Sequence, residues 1–148
     1  MKYFHSIKLT VFCKPEDDEE KIKQALVSLV PFDFEKEKIE LKSQKADIIL
    51  DRKITILEVT LQKQRYTQAF FEYLMSKLDD RQRKILVEQK ESRLDDTADF
   101  FIRLDKEYLL ENKFVLTDDG NCFHIRISIA AYPAKKEVAM KILDKILA

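Results

Sequence analysis

The sequence predicts an α+β fold: a single-layer, mainly antiparallel sheet with helices on one face. Two patterns and one compositional fact predict it. Phe123, Ile125, Ile127 and Ile129 alternate with His124, Arg126 and Ser128. A period of two puts four apolar side chains on one face and three polar ones on the other. Tyr66, Ala69, Phe70, Tyr73, Leu74 and Leu78 recur at helical spacing, the mark of a helix with one buried stripe. One glycine and three prolines in 148 residues leave no linker-like stretch, so residues 1–148 read as a single domain.

Residues 3–12 alternate, with Tyr3, His5, Ile7, Leu9 and Val11 sharing the core-like parity. His5 falls among them, as a hydrogen-bonded structural histidine would. Pro15, Glu16, Asp17 and Asp18 start a helix, with proline at its first position and acids in its first turn. Ile22, Ala25, Leu26, Leu29 and Val30 form its stripe, and Pro31 stops it. Residues 34–42 read as an edge strand with Ile39 and Leu41 inward, guarded by Lys36, Lys38 and Lys42.

Residues 48–50 and 54–61 flank Asp51, Arg52 and Lys53, as a hairpin or one bent strand. The 54–61 stretch is apolar on both parities, which suits a strand covered twice or one that meets a partner subunit. Glu58 inside it needs a partner if buried. A helix over about 63–78 and a second, charged one over about 80–91 follow. Residues 98–104 form a strand with Phe100, Ile102 and Leu104 inward. A short helix near 105–112 leads to 114–116, and Asp119-Gly120 cues a hairpin into 122–130. Pro133 then opens the last helix, 133–147.

Lys+Arg and Asp+Glu both number 27, so binding to a polyanion by bulk charge is not indicated and any such role rests on one face. Gly120 alone cannot write a phosphate-cradling loop, and no cofactor is expected. No apolar run reaches membrane-spanning length and no leader pattern precedes the first strand. The expectation is a cytoplasmic protein with two reduced cysteines, Cys13 and Cys122, read as small buried hydrophobes.

Three places offer chemistry. If 3–12, 98–104 and 122–130 are neighbours, their outward parities gather Phe4, Lys8, Phe12, Phe101, Arg103, His124 and Arg126, with Ser6, Thr10 and Ser128 between them. Rings and cations interleaved on a sheet suit single-stranded or looped RNA. The alternative is that Phe4, Phe12 and Phe101 pack under helices or against a second subunit. Asp95, Asp96 and Asp99 cluster, but two aspartates before a strand also make an ordinary loop, and no metal is expected. Cys122 and His124 share a parity, yet no nucleophile motif surrounds them, and no catalytic residue is assigned.

The stretch from Phe101 to Glu107, then His124 to Ile129, then Tyr132-Pro133, with His5 and Pro15-Glu16-Asp17 earlier, resembles a small archaeal family of RNA-binding proteins predicted to be exosome-associated. The likeness runs through nearly the whole chain. It implies a fold like the ribosomal protein that holds 5S rRNA, and it implies RNA binding. By position, Arg103, Asp105 and Lys106 match a strand-to-helix arginine-aspartate-lysine motif, with Asp105 placed to cap the helix that carries Lys106. The sequence departs from the family at a glycine-rich turn, which here reads Leu50-Asp51-Arg52-Lys53-Ile54. Either Arg52 and Lys53 supply side-chain contacts in its place or RNA is held poorly there.

Together these readings give a noncatalytic RNA-binding protein, an accessory factor in RNA processing or degradation with exosome components as partners. Lys8, Arg52, Lys53, Arg103, Lys106 and Arg126 are expected on phosphates, and Phe101 and His124 on bases. The alternative is a homodimeric interaction module without direct RNA binding.

Overall fold

The computed structural model describes residues 2–48 and 52–148. Five strands form an open antiparallel sheet in the order β2-β3-β1-β5-β4: β1 Phe4–Cys13, β2 Lys42–Ile48, β3 Arg52–Leu61, β4 Asp99–Asp105 and β5 Cys122–Ile129. Six helices accompany them: α1 Glu19–Leu29, α2 Gln64–Lys77, α3 Asp80–Glu88, α4 Lys90–Arg93, α5 Lys106–Leu110 and α6 Lys136–Ile146. The α+β class read from the sequence is the fold observed. The backbone gathers into two compact units. The first comprises Met1–Ile7, Leu61–Ile102 and Arg126–Ala148; the second comprises Lys8–Thr60 and Arg103–Ile125.

In the first unit Ile127 and Ile129 are buried, Arg126 is exposed and Ser128 half-buried. The helical stripe of α2 buries Tyr66, Phe70, Phe71 and Leu74. In the second unit Leu9, Val11 and Cys13 are buried while Lys8, Thr10 and Phe12 are not. Leu57 and Val59 of β3 are buried, whereas Ile54 and Ile56 on the opposite parity are only half-covered. The period-two pattern therefore separates a covered from an uncovered side, as expected of an open sheet.

Several boundaries differ from the sequence reading, each for a local reason. Phe4, expected outward, is buried against Phe71, ring centroids 5.1 Å apart. His5, expected inward, is exposed. The alternation slips by one residue between Phe4 and Ile7. Helix α1 begins at Glu19, not Pro15. Asp17 closes a turn by accepting from the Lys14 N–H at 2.9 Å, which leaves Asp18 as N-cap, accepting from Lys21 N–H; its carboxylate satisfies a donor that the first turn cannot.

The edge strand starts at Lys42 rather than Phe34. Asp33 Oδ1 accepts from the N–H groups of Glu35 and Lys36, and Ile39 N–H donates to the Phe34 carbonyl. Local turns thus capture donors that a sheet ladder would need. Strands β2 and β3 pair antiparallel from Lys42↔Glu58 to Ile48↔Arg52, which decides for the hairpin; residues 49–51 lie outside the described ones. The charged helix expected over 80–91 is broken at Gln89 into α3 and α4.

Residues 114–121 are not the expected hairpin into β5. Asp105 N–H donates to the Val115 carbonyl and Thr117 N–H to the Arg103 carbonyl, so this segment lines the outer side of β4. The turn itself is closed by Thr117 Oγ1 and Asp119 Oδ1, which accept from Asp119 and Asn121 N–H. Gly120 needs no positive φ. Helix α6 begins at Lys136, because Lys135 N–H is held by the Pro133 carbonyl in a separate turn.

The Asp95–Asp99 loop has a structural explanation. Asp95 Oδ1 accepts from Thr97 N–H, Thr97 Oγ1 and Asp99 N–H. Burial alone would raise its pKa, but these donors outweigh it and hold Asp95 below the usual carboxylate range. A depressed carboxylate stabilises the fold above its unfolded pKa of about 3.9 and ceases to as pH falls through the lowered value. Asp95→Asn should therefore flatten the acid limb of stability below about pH 4; urea melts across that range should show the wild type losing stability faster than the variant.

Candidate nucleic-acid interface

The pairing of β4 with β5 places the outward residues. Ile129 N–H donates to the Ala98 carbonyl at 2.9 Å, and Lys106 N–H to the Asn121 carbonyl at 3.2 Å. In antiparallel pairing such bonds join residues that lie directly opposite. Asp99 thus faces Ser128, and Phe101 faces Arg126, in the first unit. Arg103 faces His124 in the second. All three are the closely spaced, non-hydrogen-bonded type of pair, where side chains approach most.

In the second unit Thr10, Phe12, Arg103, Gly120, Cys122 and His124 line a pocket of about 320 Å³. Phe12, one of these lining residues, is 48% exposed. Arg103 is exposed, and its Nη1 donates to the Asp118 carbonyl at 3.1 Å. A Cβ at Gly120 would meet nothing within 4 Å, so glycine keeps this rim low rather than relieving a clash. Burial pushes the Cys122 thiol up, against the opposing pull of Arg103 and Lys106. Burial likewise raises Cys13, to about 11. Both thiols are free and held in their neutral form near pH 7, which is the unreactive one.

The other predicted cations divide into three situations. Lys8 pairs with Glu58 at 3.3 Å, which also answers the need of Glu58 for a partner. Arg52 Nη2 reaches both carboxylate oxygens of Glu16, at 2.7 and 2.9 Å, and Lys53 is exposed beside it in sequence. Exposed pairs of this kind contribute only about 0–1 kcal/mol, so an anionic ligand can compete for these side chains.

Arg126, in the first unit, gives Nη2 to Asp99 Oδ2 at 2.7 Å. Asp99 is 5% exposed and also accepts from Ser128 Oγ at 2.7 Å and Thr97 Oγ1 at 3.2 Å. The Asp99 carboxylate is thereby fully engaged in protein bonds. Phe101, opposite Arg126, is half-buried.

Lys106 corrects the sequence reading. Expected on a phosphate, it is 2% exposed. Its Nζ donates to the Phe12 carbonyl at 2.7 Å and lies 3.4 Å from Asp17 Oδ2. Asp105 caps α5 as expected, accepting from Tyr108 N–H at 3.1 Å. The cap turns the chain inward immediately after β4 and carries the lysine with it. Phe12 is what the sequence reading placed outward but gave no task. Among the described residues no helix is long and apolar enough to cross a membrane, and no group of three or more His, Cys, Asp or Glu is placed to hold a metal.

An open sheet that presents an exposed ring beside a guanidinium and an imidazole has the makings of a binding surface for unpaired nucleotides. The chain belongs to the RNA-binding family whose sequence model, described as RNA binding, matches residues 6–129. It is 28% identical over 137 residues to the RNA-binding protein PAB1135 of Pyrococcus abyssi, spanning 93% of this chain and 89% of that one. A DUF54 protein of Methanothermobacter thermautotrophicus superimposes with a TM-score of 0.78 at 29% identity, over 99% of each chain. Protein AF2318 of Archaeoglobus fulgidus, also DUF54, shares the fold with a TM-score of 0.85 at 23% identity, over 97% of this chain and 99% of that one. The archaeal RNA-binding resemblance read from the sequence is thereby borne out.

Proposed function

We propose that this chain is a noncatalytic RNA-binding protein that takes an unpaired base of a structured or looped RNA into the pocket of the second unit. The observation that carries this reading is the half-exposed Phe12 ring with Arg103 and His124 around the same pocket. Phe12 stacks on the base, Arg103 and His124 hydrogen-bond it, and Lys8, Arg52 and Lys53 of the same unit track the phosphates. An accessory role in RNA processing or degradation, beside exosome components, is the wider setting that the family resemblance supports.

The test is a titration series with looped RNA, unstructured RNA and duplex DNA at several salt concentrations. Phe12→Ala should weaken RNA binding by about 1–3 kcal/mol, the usual worth of one stacked base. Lys53→Ala should reduce the slope of log affinity against log salt by about 0.7–0.9, one phosphate contact. RNA affinity untouched by Phe12→Ala would overturn the pocket as the site.

A further inference from the structure

We infer that this pocket selects guanine among unpaired bases, with Arg103 reading O6 and N7. The inference rests on the RNA-binding reading above and narrows it to one base.

The supply of hydrogen-bonding groups decides it. Arg103 commits Nη1 to the Asp118 carbonyl; its Nε and Nη2 have no partner among the described residues. That remaining edge is a flat fork of donors whose orientation the Asp118 bond fixes. No carboxylate is among the residues that line the pocket, so no charged acceptor is present there to read a base's amino groups. A donor fork needs two adjacent acceptors. Guanine offers that in O6 and N7, whereas adenine sets its N6 amino group next to N7 and uracil has a lone O4 there. Cytosine's O2 and N3 also form such a pair, but its single ring covers less of Phe12 than a purine does, and stacking strength sets the preference between them.

A phosphate also has paired acceptors, but a phosphate contact carries no base preference, so a series that varies one base alone tells the two apart. The Phe12 ring accepts any base face, because stacking is tolerant of sequence. Between the purines, discrimination therefore falls to Arg103.

The experiment uses the full-length protein and fluorescence anisotropy. The probes are RNA hairpins of one stem whose loops differ at a single position: G, A, C, U or 7-deazaguanine, which lacks only the N7 acceptor. Guanine should bind tightest by about tenfold, within the range for one bidentate contact. Both 7-deazaguanine and Arg103→Lys should remove most of that preference, and combining them should remove little more. Equal affinity for the four bases, or a preference that survives 7-deazaguanine, would overturn the guanine assignment; if Phe12→Ala still weakens every hairpin, the base pocket itself stands. Phe12→Ala without effect on any hairpin would overturn both readings.

Discussion

Lys106→Met is expected to lower folding stability by about 3 kcal/mol and to weaken RNA binding without changing its salt dependence. Methionine keeps most of the side chain's volume, so the effect isolates the ammonium. That group donates to the Phe12 carbonyl and neighbours the Asp17 carboxylate in a site only 2% exposed. Hydrogen bonds from a charged donor contribute about 1.5–3 kcal/mol, and the carbonyl left without its partner adds a desolvation cost of about 1–3 kcal/mol. Some of this is recovered by water reaching Asp17, which is partly exposed. The functional consequence passes through Phe12, whose main chain loses its anchor. Urea melts give the stability, and RNA titrations at several salt concentrations give the slope. A variant of unchanged stability whose salt slope drops by about 0.7–0.9 would instead identify Lys106 as a phosphate contact.

Arg126→Ala should cost about 2–3 kcal/mol of stability, because it strands the buried carboxylate of Asp99. Removing one partner of a fully buried ion pair costs about 3–5 kcal/mol. Here the guanidinium is 48% exposed and the Ser128 and Thr97 hydroxyls remain on the carboxylate, which reduces the figure. A double-mutant cycle separates charge from shape. Asp99→Asn should be destabilising in the wild-type background and far milder once Arg126 is alanine, since a neutral amide needs no counter-charge. Additive costs in that cycle would show that the pair is not coupled. The same cycle governs how RNA data on Arg126 are read: a loss of affinity counts as a lost contact only when measured well below the variant's melting temperature.

The covered and open faces of β5 were legible because four apolar residues on one parity admit a single arrangement: Ile127 is buried and Arg126 is exposed, as alternation requires. The helical stripes of α1 and α2 were legible for the same reason. Element starts were not, since each was decided by a side chain that competes for backbone donors: Asp33, Asp17 and Asp119 all close local turns that period-two and proline cues do not report. Lys106 was misread because its type suggests solvent, whereas the Asp105 cap turns the chain inward at that point. Phe12 was placed on the correct face, but a phenylalanine in a strand gives no sign of whether something covers it. Which cations already have carboxylate partners (Lys8, Arg52 and Arg126) depends on contacts distant in sequence and could not be read at all.

The two margins of the sheet are finished differently. β4, at one margin, has its outer backbone occupied by short returning segments, Leu94–Asp95 in the first unit and Val115–Thr117 in the second. β2, at the other, carries exposed Lys42, Lys45 and Asp47. Accretion of further strands, the usual route from a folded domain to fibrils, is therefore blocked at one margin by satisfied amides and opposed at the other by charges that would have to shed water. At a formal net charge of +0, repulsion between whole molecules contributes nothing, so the resistance to edge pairing lies in the two margins themselves.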